Sequence, residues 1–158
     1  MMAECKDLRE QVKRLRTLSF KIGAYRPPSE GGSASLLLRV TENCPWNRCT
    51  FCEMYKGHRF VYRPVEEIKA DIDRVAAIRD EITAVSWKLG MGGKITRDVG
   101  AALLAQSRDL IGNSSFITVF NWLSSGGKTA FLQDANSMIM RPAALAAVLR
   151  HLRKTLTS

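Results

Sequence analysis

The sequence predicts an α/β fold built on parallel strands, and three observations indicate it. The dense apolar run "SLLLRV", residues 35–40, is typical of a strand buried in a parallel sheet. A second short strand is predicted in "TAFLQ", residues 129–133. Helical patterns separate the two runs, and parallel neighbours need such long crossover connections. The predicted order is helix, strand, helices, strand, helix.

The chain begins with a predicted amphipathic helix over residues 3–18. Its apolar positions have helical spacing with charges between them: Leu8, Val12, Leu15 and Leu18. The segment "YRPPSEGGSAS", residues 25–35, ends that pattern with two prolines and two glycines. We therefore divide the chain into an N-terminal helix with a linker, residues 1–34, and a domain over residues 35–158.

Helices are also predicted after the first strand. Pro64 fits the first turn of a helix that carries Val65, Ile68, Ile72, Val75 and Ile82. Asp98 is the predicted cap of another, through Val99, Leu103 and Leu110, that ends at "GN". The stretch "SSFITVFNWLSS" fits a helix and a strand equally. Pro142 opens a final helix with one apolar face: Leu145, Val148, Leu149, Leu152 and Leu156.

Composition indicates one globular unit with a core. The 158 residues are 46% hydrophobic and 25% charged, which argues against general disorder. No apolar run is long enough to span a bilayer and no secretory signal is evident, so we expect a cytoplasmic protein without a membrane partner. The formal net charge is +9, and the basic residues are dispersed. This favours a solvated basic surface over a nucleic-acid partner, although charge alone names no partner.

Three of the four cysteines lie within nine residues, in "CPWNRCTFC". The spacing of Cys44, Cys49 and Cys52 is C-x4-C-x2-C, and thiolates are soft ligands that suit zinc or an iron–sulfur cluster. A reducing compartment favours such a site over a disulfide. Structural zinc needs a fourth ligand, and His58 would supply it at a spacing unlike the common finger patterns. An iron–sulfur cluster held by three thiolates leaves one iron open.

The stretch "RVTENCPWNRCTFCEMYKG", residues 39–57, resembles the first strand and cluster loop of the radical S-adenosylmethionine (radical SAM) superfamily, in a subgroup with C-x4-C-x2-C spacing. The resemblance implies that Cys44, Cys49 and Cys52 hold a [4Fe-4S] cluster whose fourth iron binds S-adenosylmethionine. It places Phe51 near the adenine. It further implies that an external one-electron reductant drives cleavage of the cofactor to methionine and a 5′-deoxyadenosyl radical, which abstracts hydrogen from a substrate.

A second stretch, "TAFLQDANSMIM", resembles the second strand of that superfamily and the loop after it. There Asp134 and Asn136 are predicted to accept hydrogen bonds from the ammonium group of the cofactor. The glycines usual in this loop are absent, and a simple turn after the strand is an equal alternative.

The resemblance from Ser35 to Leu156 covers the first two of about six strand–helix units of a partial TIM barrel. We therefore expect an incomplete parallel (βα) barrel, from a fragment or a chain that a partner completes. We expect poor activity from the chain alone.

Two other functions stay open from the residues. One is a zinc-stabilised binding module that uses Cys44, Cys49, Cys52 and His58 and presents a basic surface to nucleic acid. The other is an electron-transfer protein that only holds a cluster. Four residues after the cysteines could contact a cofactor or a nucleic acid, although loop packing is favoured for them: Tyr55, Arg59, Tyr62 and Arg63.

Overall fold

The computed structural model describes residues 2–23 and 35–157, with side chains from residue 7 onward. The predicted linker, apart from Ser35, lies outside the described residues. Five α-helices and four strands form within these ranges. In chain order they are α1 (Met2–Thr17), β1 (Leu36–Arg39), β2 (Thr41–Glu42), β3 (Val61–Tyr62), α2 (Val65–Lys88), α3 (Arg97–Gln106), α4 (Ser114–Ser124), β4 (Ala130–Gln133) and α5 (Pro142–Leu156).

The central sheet consists of β1 and β4. The two strands run parallel, with Leu36 opposite Ala130 and Arg39 opposite Gln133. Helices α2, α3 and α4 lie between them in the chain and make the crossover connection. The prediction of an α/β fold with parallel strands is confirmed. Within the described ranges these two strands are the whole parallel sheet and no barrel is formed.

The core lies between the helices and one face of β1. Leu36 and Leu38 are fully buried, and they belong to two adjoining apolar clusters. Leu37, which points to the opposite face, is half-buried. Helix α1 contributes Val12 and Leu15 to the same cluster as Leu36, and the N-terminal helix packs on α2 and α3.

Helix α4 forms from the stretch that fitted both a helix and a strand. Phe116, Val119 and Trp122 are buried on one side of it, at spacings of three residues. Asn113 precedes the helix, and its side chain accepts a hydrogen bond from the backbone N–H of Phe116 at 3.0 Å. A helical cap and a buried helical face therefore decide between the two alternatives.

Helix α3 differs from its prediction at both ends. Its N-cap is Thr96, and Asp98 lies inside the first turn. The helix stops at Gln106 because Ser107 is extended, with φ −158° and ψ 114°. Residues 108–112 form a separate 3-10 turn, so the single helix predicted to reach Leu110 is wrong.

The helices of the described residues are either too short or too polar to cross a lipid bilayer. Helix α2 is the longest at 24 residues, and charged residues occur along its whole length.

Candidate metal and cofactor site at the cysteine loop

The three clustered cysteines lie on a loop beyond the carboxyl end of β1. We name residues 43–60 the cysteine loop, because they connect β2 to β3. These two strands pair antiparallel, with Thr41 opposite Tyr62 and Glu42 opposite Val61. The pairing closes the base of the loop and holds it at the edge of the sheet where β1 and β4 both end.

Two asparagines shape the cysteine loop. Asn43 and Asn47 have φ values of 65° and 46°, a left-handed conformation that asparagine adopts more readily than most residues. The Asn43 amide donates to the carbonyl of Arg59 at 2.7 Å. The Asn47 amide donates to the carbonyls of Tyr55 at 2.6 Å and His58 at 3.1 Å. These bonds tie the first half of the loop to the second.

Cys44, Cys49 and Cys52 are free thiols and each is half-buried. The backbone N–H of Asn47 donates to the sulfur of Cys44 at 3.3 Å. In the part of the chain that the structure describes, no three side chains among histidines, cysteines and acids are close enough together to hold one metal ion. The loop therefore supplies three soft donors within nine residues without gathering them around one centre.

Phe51, predicted to lie beside the adenine of a cofactor, immediately precedes Cys52 on the outer surface of the loop. Its side chain is 88% exposed. His58, the alternative fourth zinc ligand, is also exposed, and its carbonyl accepts the bond from Asn47. Neither side chain is buried against the thiols.

Asp134, directly after β4, is buried and braces the start of the cysteine loop. Its Oδ2 accepts from Nε of Arg39 at 3.0 Å, from Nη2 of Arg39 at 2.7 Å and from the backbone N–H of Asn43 at 2.7 Å. We name this set the Arg39–Asp134–Asn43 brace. It joins the two strand ends, so the structure brings the second predicted motif against the first.

The second oxygen of Asp134, Oδ1, is buried and has no hydrogen-bond partner among the described residues. Gly23 lies over it: a Cβ at Gly23 would stand 2.2 Å from Oδ1 and 2.9 Å from the Oε1 atom of Gln133. The backbone N–H of Gly23 donates to that same Gln133 oxygen at 3.0 Å. Only a residue without a side chain fits this approach.

Asn136 is exposed, and its side chain accepts from the backbone N–H of Met138 at 3.1 Å. It thereby caps the short 3-10 turn at Ser137–Ile139. The cofactor contacts predicted for Asp134 and Asn136 stay predictions, and each residue also has the structural role just described.

No protein-family model, curated protein or solved structure matches this chain.

Two arginines hold the edge of the sheet: Arg39, which sequence reasoning missed, and Arg63, which it assigned only to loop packing. Arg39 makes the brace described above. Arg63 is buried, donating to the carbonyl of Arg39 at 2.6 Å and pairing with Asp71 at 2.8 Å. The sequence does indicate that Arg39 has a charged or polar partner, because it is the single charge in the apolar run "SLLLRV" and a buried charge needs a partner.

A further ion pair anchors β2 from outside. The Lys21 ammonium donates to the Glu42 carboxylate. Mainly through this hydrogen bond, the pKa of Glu42 is lowered below its ordinary value. The segment after α1 is thus fixed to the strand that leads into the cysteine loop.

Proposed function

We propose that the chain is a radical SAM iron–sulfur protein in which Cys44, Cys49 and Cys52 hold a [4Fe-4S] cluster. The observation that carries the proposal is the cysteine loop itself: three free, half-buried thiols within nine residues, beyond the carboxyl end of a parallel strand. Active sites of parallel α/β folds lie at that end of the strands. Three thiolates suit an iron–sulfur cluster with one open iron better than they suit a structural zinc site with four ligands.

The donor set fits the cluster, although the thiols stand apart. Cys49 and Cys52 lie in a segment without helix or strand, between the tethers at Asn47 and Tyr55. To hold one cluster, Cys49 and Cys52 would have to bring their thiolates to the same centre as Cys44, and ligand binding and local ordering are coupled in metal sites. A cytoplasmic location, which we also propose, would keep the thiols reduced.

When bound and reduced by an external one-electron donor, the cluster and S-adenosylmethionine would supply a 5′-deoxyadenosyl radical. The protein residues have separate tasks in this proposal. The three thiolates hold the irons, and the Asn47 N–H bond to Cys44 tunes the cluster, since hydrogen bonds to ligand sulfurs shift its potential. The Arg39–Asp134–Asn43 brace keeps the loop at the strand ends. Phe51 and Asn136 would contact the cofactor.

We further propose that β1 and β4 are the first strands of a partial (βα) barrel, completed by strands beyond the described residues or by a partner chain. Neither strand has a second neighbour in the described ranges. Phe51 is 88% exposed, so the loop as it stands is open to solvent. Radical chemistry requires that water and oxygen be kept out. We therefore expect slow cofactor cleavage by the isolated chain.

Anaerobic reconstitution with iron and sulfide tests the proposal. We expect a brown protein whose iron and sulfide contents indicate one [4Fe-4S] cluster per chain. Serine variants of Cys44, Cys49 and Cys52 should each lose most of the bound iron, whereas Cys5→Ser, in α1, is the matched control and should retain it.

A colourless protein with one tightly bound zinc, retained after anaerobic reconstitution, would contradict the proposal. So would a Cys5→Ser variant that loses as much iron as the loop variants. Efficient cleavage of S-adenosylmethionine by the isolated chain would instead contradict the expectation that the site needs further enclosure.

A further inference from the structure

Exposed aromatic and basic side chains follow one another along the cysteine loop and into β3. Trp46 is 65% exposed, Phe51 88% and Tyr62 56%. We define the aromatic–basic face as these three rings together with the exposed cations of the same segment: Arg48, Lys56 and Arg59. Exposure of large aromatic rings to water is unfavourable, so three exposed rings in one segment indicate a surface that binds a partner molecule.

Hydrogen bonds hold the two halves of the cysteine loop together. Asn47 lies between Trp46 and Arg48, and its amide is bonded to the carbonyls of Tyr55 and His58, on either side of Lys56. Asn43 is bonded to the carbonyl of Arg59. Residues from both halves of the loop are therefore held side by side.

The structure separates two kinds of residue after the cysteines. Tyr55 and Arg63 are buried, with 3% and 6% exposure, so neither presents its side chain to solvent. Arg59 and Tyr62 are exposed instead. The ring of Phe60 meets that of Tyr62 edge-on, with centroids 4.8 Å apart, which supports the exposed ring from one side.

The charge of the face is basic. Its exposed charged side chains are Arg48, Lys56 and Arg59, with His58 beside them and Glu53 as the single exposed acid of this segment. The Arg48 guanidinium lies over the Trp46 ring, 5.7 Å from its centroid. This cation–π contact places a positive charge beside an aromatic surface.

A slot adjoins the face at Tyr62. Its volume is about 330 Å³, and its lining combines apolar side chains with the exposed Arg141. The lining residues are Tyr62, Arg63, Ile139, Met140, Arg141 and Ala144. A flat ring could lie against Tyr62 there while Arg141 contacts an attached anionic group.

We propose that the aromatic–basic face binds single-stranded nucleic acid. Bases stack on Trp46 and Tyr62, and the phosphates between them contact Arg48, Lys56 and Arg59. Alternation of exposed rings with cations is how proteins bind single strands without reading sequence. The face combines its rings with three exposed cations and a single exposed acid, which suits a polyanion that carries stackable bases better than a protein partner, whose interface centres are depleted in charge. Binding of this kind needs no cluster and goes beyond the proposed enzymatic function.

Fluorescence anisotropy with a labelled oligouridylate of about 12 nucleotides tests the proposal, and the equivalent oligothymidylate distinguishes RNA from DNA. Trp46→Ala should weaken binding roughly 5- to 150-fold, the effect of losing one stacked base. Trp87→Ala is the matched control, since Trp87 is 64% exposed on α2 and should leave binding unchanged.

Charge variants provide a second, independent measurement. Between about 50 and 200 mM salt, Lys56→Gln combined with Arg59→Gln should flatten the salt dependence of binding by roughly one to two phosphate contacts. Arg97→Gln, at the exposed start of α3, is the control and should keep the original slope.

If Trp46→Ala and Trp87→Ala bound the oligonucleotide equally well, the proposal would be overturned, because binding would then depend only on the net charge of the chain. Displacement of the oligonucleotide by polyglutamate or by anionic lipid vesicles at equal charge concentration would also overturn it. The chain with all three loop cysteines changed to serine should still bind the oligonucleotide. A failure of nucleic-acid binding can therefore be distinguished from a failure of cluster reconstitution.

Discussion

The Arg39–Asp134–Asn43 brace leads to a prediction about stability. Asp134→Ala removes a carboxylate whose side chain is 1% exposed and leaves the Arg39 guanidinium, 16% exposed, without its buried partner. It also removes the acceptor of the Asn43 N–H, the bond that starts the cysteine loop. The change therefore acts on both strand ends at once.

The loss of stability expected for Asp134→Ala follows from the burial of the Arg39–Asp134 ion pair. Removing one partner of a buried ion pair costs about 3–5 kcal/mol, because the other charge stays behind without compensation. For a chain of this length each kcal/mol lowers Tm by about 2–4 °C, so a fall of about 6–20 °C is expected. Asp134→Asn keeps an acceptor oxygen for Asn43 and should cost less, about 1.5–3 kcal/mol.

Thermal unfolding followed by circular dichroism measures this effect. Asp109→Ala is the control, because Asp109 pairs with Arg16 at 2.9 Å on the surface, where exposed pairs contribute little. The double variant Arg39→Met with Asp134→Leu should recover much of the lost stability, since no charge is left buried. Two results would contradict this prediction: a loss of Tm in Asp134→Ala no greater than in Asp109→Ala, or a loss in the double variant equal to the sum of those measured for Arg39→Met and Asp134→Leu alone.

Three further predictions concern the core, the close approach at Gly23 and the loop. Leu38→Ala should cost about 2–5 kcal/mol in urea unfolding, and the half-buried Leu37→Ala clearly less; equal losses would contradict the assignment of the core face. Gly23→Ala should lower stability by about 1–3 kcal/mol because its Cβ would meet the Asp134 carboxylate, whereas Gly112→Ala has free space and should not; a neutral Gly23→Ala would exclude the close contact. Asn47→Ala should reduce the iron bound on reconstitution, because the two halves of the cysteine loop lose a hydrogen bond between them. If this variant bound as much iron as the unchanged chain, the Asn47 bond would have no part in cluster binding.

Much of the fold could be predicted from local patterns. The run "SLLLRV" is buried as expected because its alternate leucines face the helices. Pro142 begins α5, where its missing N–H is harmless. The secondary structure of residues 114–124 could not be predicted from the apolar run alone, since a short apolar segment fits both a strand and a helix until its cap and neighbours are known.

The sequence places three thiols in one short loop, but it does not give the distances between them. In the described residues Cys44, Cys49 and Cys52 are not gathered around one centre, and the cluster proposed for them stays a prediction. Asp134 was expected to face a cofactor, yet its partners are Arg39 and Asn43, 95 and 91 residues away in the chain. Pairings over such separations depend on the parallel register of β1 and β4, and local sequence carries little information about them.

The cluster that we propose for the cysteine loop has one open iron. The electron paramagnetic resonance spectrum of the reconstituted, reduced protein, recorded with and without S-adenosylmethionine, tests this iron directly. We expect the signal of a reduced [4Fe-4S] cluster whose shape and g values change when the cofactor is added. A cluster signal that stays unchanged by the cofactor would contradict the open iron.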